Sequence, residues 1–207
     1  MKRIAVLVSG GGTNLQALID AQQRGELGGG QIVAAISSKA GAYALERAAK
    51  AGISGYVLPR KDFDSNKAMT VALVELLRKL DIQLVVLAGC MVIFTEELVN
   101  AYPNAIMNVH PALIPSFCGP GYYGLRVHEE ALRYGVKLSG ATVHFVSEEC
   151  DGGPIIAQKA VEVRPDDTPE VLQKRIMEQA EWRLLPEAVR LFCEDRITVE
   201  GRTVIIH

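Results

Sequence analysis

The stretch Ile4-Ala5-Val6-Leu7-Val8-Ser9-Gly10-Gly11-Gly12-Thr13-Asn14 decides the fold. Five apolar residues in a row are too uniform for a strand with one wet face, so this strand is expected to be covered on both sides, as in a parallel sheet. The run ends in glycines, and residues 14–23 follow at once with helical spacing. Strand, glycine turn and helix in that order open a βαβ unit.

Working outward, residues 32–36 and 84–88 repeat the Val/Ile-rich run, while 42–51 and 66–79 carry helical spacing, seen in Met69, Leu73, Leu76 and Leu77. Residues 106–110 form another short run, and the Pro/Gly-rich segment 111–124 reads as a long loop. Beyond it, 141–146 and 155–163 look like two strands joined by 147–154. A helical stretch begins near Thr168, amphipathic through Val171, Leu172, Ile176 and Met177, and is expected to kink or divide near Pro186. The pattern predicts one α/β domain over residues 1–207. Its sheet is open, mainly parallel and Rossmann-like, with helices on both faces and a C-terminal β-hairpin/helix extension.

Bulk properties narrow the function. With 207 residues and 49% hydrophobic content the chain can bury a full core. Its net charge is −2, from 22 basic and 24 acidic residues, and no basic stripe points to nucleic acid. The longest apolar stretch, 84–94, is short of the ~18 residues that cross a bilayer, and the run at 4–8 is too short for a signal peptide. A cytoplasmic protein with no membrane partner is expected. Cys90, Cys118, Cys150 and Cys193 form no CxxC pair and read as thiols in a reducing compartment.

Glycines at 10–12 let backbone N–H groups converge at a helix N-terminus, which suits a phosphate. No Walker lysine follows, and Leu15 stands where a dinucleotide fingerprint needs glycine, so a monophosphate is favoured. The competing reading is a plain tight turn capped by Thr13 or Asn14.

Within Ile106-Met107-Asn108-Val109-His110, Asn108 and His110 share one strand face, near the carboxyl end where open α/β sheets place ligands. A carboxamide N–H can stabilise an oxyanion and an imidazole can move protons. A structural pair capping the loop is the alternative. His128 and His144 have no comparable polar neighbour one pleat away and read as structural. Asp151, in Cys150-Asp151-Gly152-Gly153, is either turn chemistry or a partner that raises the pKa of His110 and orients it.

Four motifs together, Ser9-Gly-Gly-Gly-Thr-Asn-Leu15, Leu87-Ala-Gly-Cys-Met91, Met107-Asn-Val-His-Pro-Ala-Leu-Ile-Pro115 and His144-Phe-Val with Asp151-Gly-Gly-Pro154, closely resemble the folate-dependent phosphoribosylglycinamide formyltransferases over nearly the whole chain. The resemblance implies formyl transfer from 10-formyltetrahydrofolate, a cosubstrate, to the amine of glycinamide ribonucleotide in purine synthesis. It implies catalytic roles for Asn108, protonated His110 and Asp151, which would keep His110 charged. It implies substrate contacts from Gly11, Gly12, Thr13, Asn14 and Glu181, and folate contacts from Met91, Val92, Ile93, Phe94 and Asn108. It calls for no metal, and it allows a homodimer.

Two departures stand out. The family commonly has Pro-Gly-Leu-His-x-His after Leu-Pro, where this chain has a longer segment with Arg126 at the first histidine. Asn66 and Val92 occupy positions where basic residues are common, so contacts to the folate tail are expected to differ. Three other readings compete: a methionyl-tRNA formyltransferase and a formyltetrahydrofolate hydrolase, both expected to be longer, and a nucleotide-binding module without chemistry. Retention of Asn108, His110 and Asp151 together argues against the last.

Overall fold

The computed structural model describes residues 1–90, 92 and 94–207. The first strand, β1 (Lys2–Val8), lies inside the sheet, and its side chains alternate between two cores: Ile4, Val6 and Val8 enter one, Ala5 and Leu7 the other. Burial on both faces explains the uniform apolar run, each buried Ile, Leu or Val contributing roughly 1.5–3 kcal/mol.

From β1 the chain passes through α1 (Thr13–Gln23) to β2 (Gly30–Ser37), then through α2 (Tyr43–Lys50) to β3 (Ser54–Val57). Helix α3 (Asn66–Lys79) returns it to the other side of β1, where β4 (Leu84–Leu87), α4 (Glu96–Ala101) and β5 (Ile106–His110) follow. These five strands pair in parallel. Helix α5 (Leu125–Tyr134) leads to β6 (Leu138–Phe145) and β7 (Ile155–Glu162), which complete the sheet in antiparallel fashion. The order is β3-β2-β1-β4-β5-β6-β7. Its direction reverses between β1 and β4, and that switch point opens a crevice at the strands' carboxyl ends.

Helix α6 (Pro169–Ile176) runs into a π-helical segment (Met177–Glu181) and then α7 (Trp182–Cys193). The predicted division therefore exists, but it lies ahead of Pro186. Pro186 itself sits inside α7, and the irregularity lies in the segment before that helix.

The expected open, mainly parallel sheet with helices on both faces is present: α1 and α7 contribute to one core, α3 and α4 to the other. Three features go beyond the expectation. β3 is a four-residue edge strand, too short and too exposed to stand out in the sequence. α4 and α5 occupy stretches outside the predicted elements. The C-terminal helical reading ran too far, because β8 (Ile197–Glu200) and β9 (Thr203–Ile206) form a separate hairpin.

Candidate active site

The glycine turn sits at the switch point. Helix α1 starts on Gly12 in the left-handed region, φ 70°, with no side-chain cap. The plain capped-turn reading fails here: Thr13 Oγ1 lies 3.7 Å from Met177 Sδ, and Asn14 Nδ2 donates to Glu181 Oε2 at 2.7 Å. The first-turn N–H groups, which have no partner inside the helix, are thus left for a ligand.

Opposite the turn, β5 brings Asn108 and His110 to one face, and the β6–β7 connection brings Asp151 to meet them. Asp151 Oδ2 is 3.6 Å from His110 Nδ1 and accepts from Gly119 N at 2.9 Å. Its Oδ1 lies 3.4 Å from Asn108 Nδ2 and 3.6 Å from His144 Nε2. Asp151 adopts φ 54°, a left-handed conformation aspartate tolerates. The glycine after next is required: a Cβ on Gly153 would stand 1.8 Å from the Phe145 carbonyl oxygen.

His144, expected to be structural and without a polar neighbour, lies beside Asn108 and Asp151. Antiparallel register sets it directly across from Asn108, beside an irregularity between Val143 and His144, and its Nε2 is 3.2 Å from Asn108 Nδ2. Finding it in sequence required knowing that β5 and β6 run antiparallel and in which register. His128 is fully buried on α5, and neither ring nitrogen has a hydrogen-bond partner among the described residues.

Two influences on His110 oppose each other. Burial lowers its pKa from the ordinary value, while Asp151 and the Phe117 carbonyl pull upward. His110 Nε2 donates to the Phe117 carbonyl at 2.8 Å, and Nδ1 faces Asp151. For Asp151, burial pushes upward, but the His144 contact, the His110 charge and the Gly119 N–H together bring its pKa below the ordinary value, so it is ionised. Glu181 goes the other way. Burial outweighs the Asn14 hydrogen bond and pushes it up to about 7.

A single open cleft of about 1140 Å³ joins these groups: Gly10 to Asn14, Asn108, His110, His144, Asp151 and Glu181 all line it. Val92 and Phe94 line it too, while Met91 and Ile93, named with them from the sequence, lie outside the described residues. Lys67, unremarked in the sequence, stands at the cleft paired with Glu97 at 2.7 Å. The neighbouring Asn66 is engaged by Arg60.

A glycine turn at a helix N-terminus facing a carboxamide, an imidazole and a carboxylate across one crevice defines an α/β enzyme of group-transfer type. The profile of the formyl transferase family matches residues 2–189, and the chain belongs to that family. It is 41% identical over 200 residues to the phosphoribosylglycinamide formyltransferase of Haemophilus influenzae, a match covering 97% of this chain and 91% of that one. The crystal structure of glycinamide ribonucleotide transformylase 1 from Symbiobacterium toebii superposes with a TM-score of 0.94 at 45% identity, covering 100% of this chain and 94% of that one. The phosphoribosylglycinamide formyltransferase of Anaplasma phagocytophilum gives 0.88 at 38% identity, covering 99% and 94%.

Proposed function

We propose that residues 1–207 form one formyltransferase domain that moves the formyl group of 10-formyltetrahydrofolate to the amine of glycinamide ribonucleotide. The products are formylglycinamide ribonucleotide and tetrahydrofolate, a step of purine synthesis carried out in the cytoplasm. The observation that carries the reading is the shared cleft, in which the glycine turn faces Asn108, His110 and Asp151.

In this reading Gly11, Gly12, Thr13 and Asn14 hold the ribonucleotide phosphate through N–H groups and the helix dipole. Glu181, oriented by Asn14, contacts the same substrate. Val92 and Phe94, with Met91 and Ile93, bound the folate. The amine attacks the formyl carbon, and the oxyanion that develops takes hydrogen bonds from Asn108 Nδ2 and His110 Nε2. The Nε2 proton is already in place for this, donated to the Phe117 carbonyl. The formyl oxygen takes the position that the Phe117 carbonyl holds in its absence. As the tetrahedral intermediate collapses, the proton shed by the amine passes to the departing folate nitrogen by way of the His110–Asp151 pair. Asp151, being ionised, stabilises the imidazolium formed in passing.

Steady-state assays following folate absorbance test this. Turnover that requires glycinamide ribonucleotide and drops at least 100-fold in His110→Ala is expected. Fast loss of the formyl group without acceptor would replace the reading with a hydrolase, and an undiminished His110→Ala rate would displace the site.

A further inference from the structure

All three carbonyls of the glycine turn are engaged. Gly10 O accepts from Ala44 N at 3.1 Å and Gly12 O from Gln16 N at 2.9 Å. Gly11 O accepts from the side chain of Arg47, at 2.8 Å from Nε. In a trans peptide the C=O and the following N–H point in opposite directions. Each carbonyl tied back therefore turns the next N–H, that of Gly11, Gly12 or Thr13, the other way.

The Gly10 and Gly12 carbonyls are held by backbone, whereas the Gly11–Gly12 peptide depends on a side chain. That peptide lies between two glycines, where a flip meets the least steric resistance. A flip would swap the Gly12 N–H for the Gly11 carbonyl oxygen and so present an anion with a lone pair. Arg47 opposes it from α2. Its Nη1 is fixed by Gln16 Oε1 at 3.0 Å, Gln16 is in turn tied to Asp20 at 2.8 Å, and the guanidinium lies 4.9 Å from the Tyr43 ring centroid. Arg47 is half-buried and is not part of the cleft wall.

We propose that Arg47 is a positioning residue for phosphate recognition. It clamps the Gly11 carbonyl so that the Gly12 N–H is presented to the phosphate, and it sets a full positive charge behind the turn. The inference rests on reading the turn as the phosphate site of the proposed reaction. It adds a residue that acts through the backbone rather than by touching the ligand.

The test compares the parent with Arg47→Ala and Arg47→Lys. For Arg47→Ala the KM for glycinamide ribonucleotide should rise on the order of tenfold, the scale of one charge-assisted hydrogen bond, with kcat within about twofold and the KM for the formyl donor unmoved. Arg47→Lys, which keeps the charge and one donor, should recover part of the loss. With the dephosphorylated acceptor, glycinamide riboside, Arg47→Ala and parent should react equally. Equal losses on both acceptors, or a parental KM in Arg47→Ala, would overturn the proposal. Titration of inorganic phosphate, followed through the amide signals of residues 11–14, separates this inference from the reaction itself. A parent that binds phosphate there but turns over no acceptor would sink the proposed reaction and leave the Arg47 comparison readable. Equal phosphate affinity in parent and Arg47→Ala would sink the Arg47 role alone.

Discussion

Asn108 on β5 stands directly across from His144 on β6, its Nδ2 3.2 Å from the ring Nε2. His144 Nδ1 donates to the Phe145 carbonyl oxygen at 2.8 Å, which orients the ring. The histidine and Asp151 Oδ1, the latter 3.4 Å from the same nitrogen, together hold the Asn108 side chain at the cleft. In His144→Leu the amide loses one of these two partners, and kcat should fall on the order of 10- to 100-fold, with little change in the KM for the acceptor. A parental kcat would mean that the amide is held by something else.

Asp151 faces both imidazoles and the carboxamide, so its charge matters more than its volume. Asn fits the same left-handed φ of 54°, and the fold should survive the exchange. Asp151→Asn is expected to lower kcat by roughly 10² to 10⁴-fold, the usual scale for a proton-transfer group. Its melting temperature should stay within a few degrees of the parent. A large drop in melting temperature with kcat preserved in the folded fraction would make Asp151 a structural residue.

The glycines of the turn are not equivalent. A Cβ on Gly12 would meet Ala44 Cβ at 2.5 Å in a backbone conformation, φ +70°, that other residues rarely adopt, whereas a Cβ on Gly10 meets nothing within 4 Å. Gly12→Ala should therefore weaken phosphate binding by at least tenfold and lower stability by about 1–2 kcal/mol, while Gly10→Ala leaves stability within about 0.5 kcal/mol. Calorimetry on the two variants decides it; equal effects would remove the steric account.

His128 carries a pH dependence of its own. Burial, and then the neighbouring charge of His110, lower its pKa from 6.5 to about 4. Above pH 6.5 the ring is neutral in both folded and unfolded chains. Between 6.5 and 4 the unfolded chain takes up a proton that the folded one refuses, so stability is lost on acidification, by up to roughly 3 kcal/mol. In His128→Leu this part of the loss should vanish, and the two unpartnered nitrogens go with it. Denaturant midpoints of parent and variant at pH 7 and pH 5 measure the difference; parallel acid losses would assign the effect to other groups.

What could be read from sequence follows the range of the forces involved. The strands at 4–8 and 84–88 were legible because burial on both faces writes an unbroken apolar run, and the shared face of Asn108 and His110 follows from the two-residue repeat alone. The place of His144 depends on a strand register between distant segments. The pKa of His110 depends on the balance of burial against a nearby carboxylate, and both are tertiary quantities. The hold of Arg47 on Gly11 spans 36 residues and involves a backbone carbonyl, for which the sequence carries no mark. The β8–β9 hairpin escaped because two four-residue strands beside a long helical pattern leave little periodicity to detect.

Glu181 offers the sharpest separation of stability from function. It ends the π-helical segment, where the widened turn sets it against Asn14, and it is 6% exposed. Its pKa is about 7 in the folded protein, against 4.5 for the free side chain. Below pH 4.5 both states are protonated and the group adds no pH dependence. Between 4.5 and 7 the unfolded chain ionises while the folded one keeps its proton. Stability therefore declines as pH rises through this window, and above 7 the native state carries a buried carboxylate that costs roughly 3 kcal/mol. Glu181→Gln should remove that slope, so the variant matches the parent near pH 4.5 and exceeds it at pH 8. Binding should respond in the opposite sense: if the carboxylate serves the acceptor, the glutamine variant shows a higher KM for glycinamide ribonucleotide at pH 8 despite its greater stability. A variant that is more stable at pH 8 and keeps the parental KM would leave Glu181 as a partner of Asn14 only, with no role toward substrate.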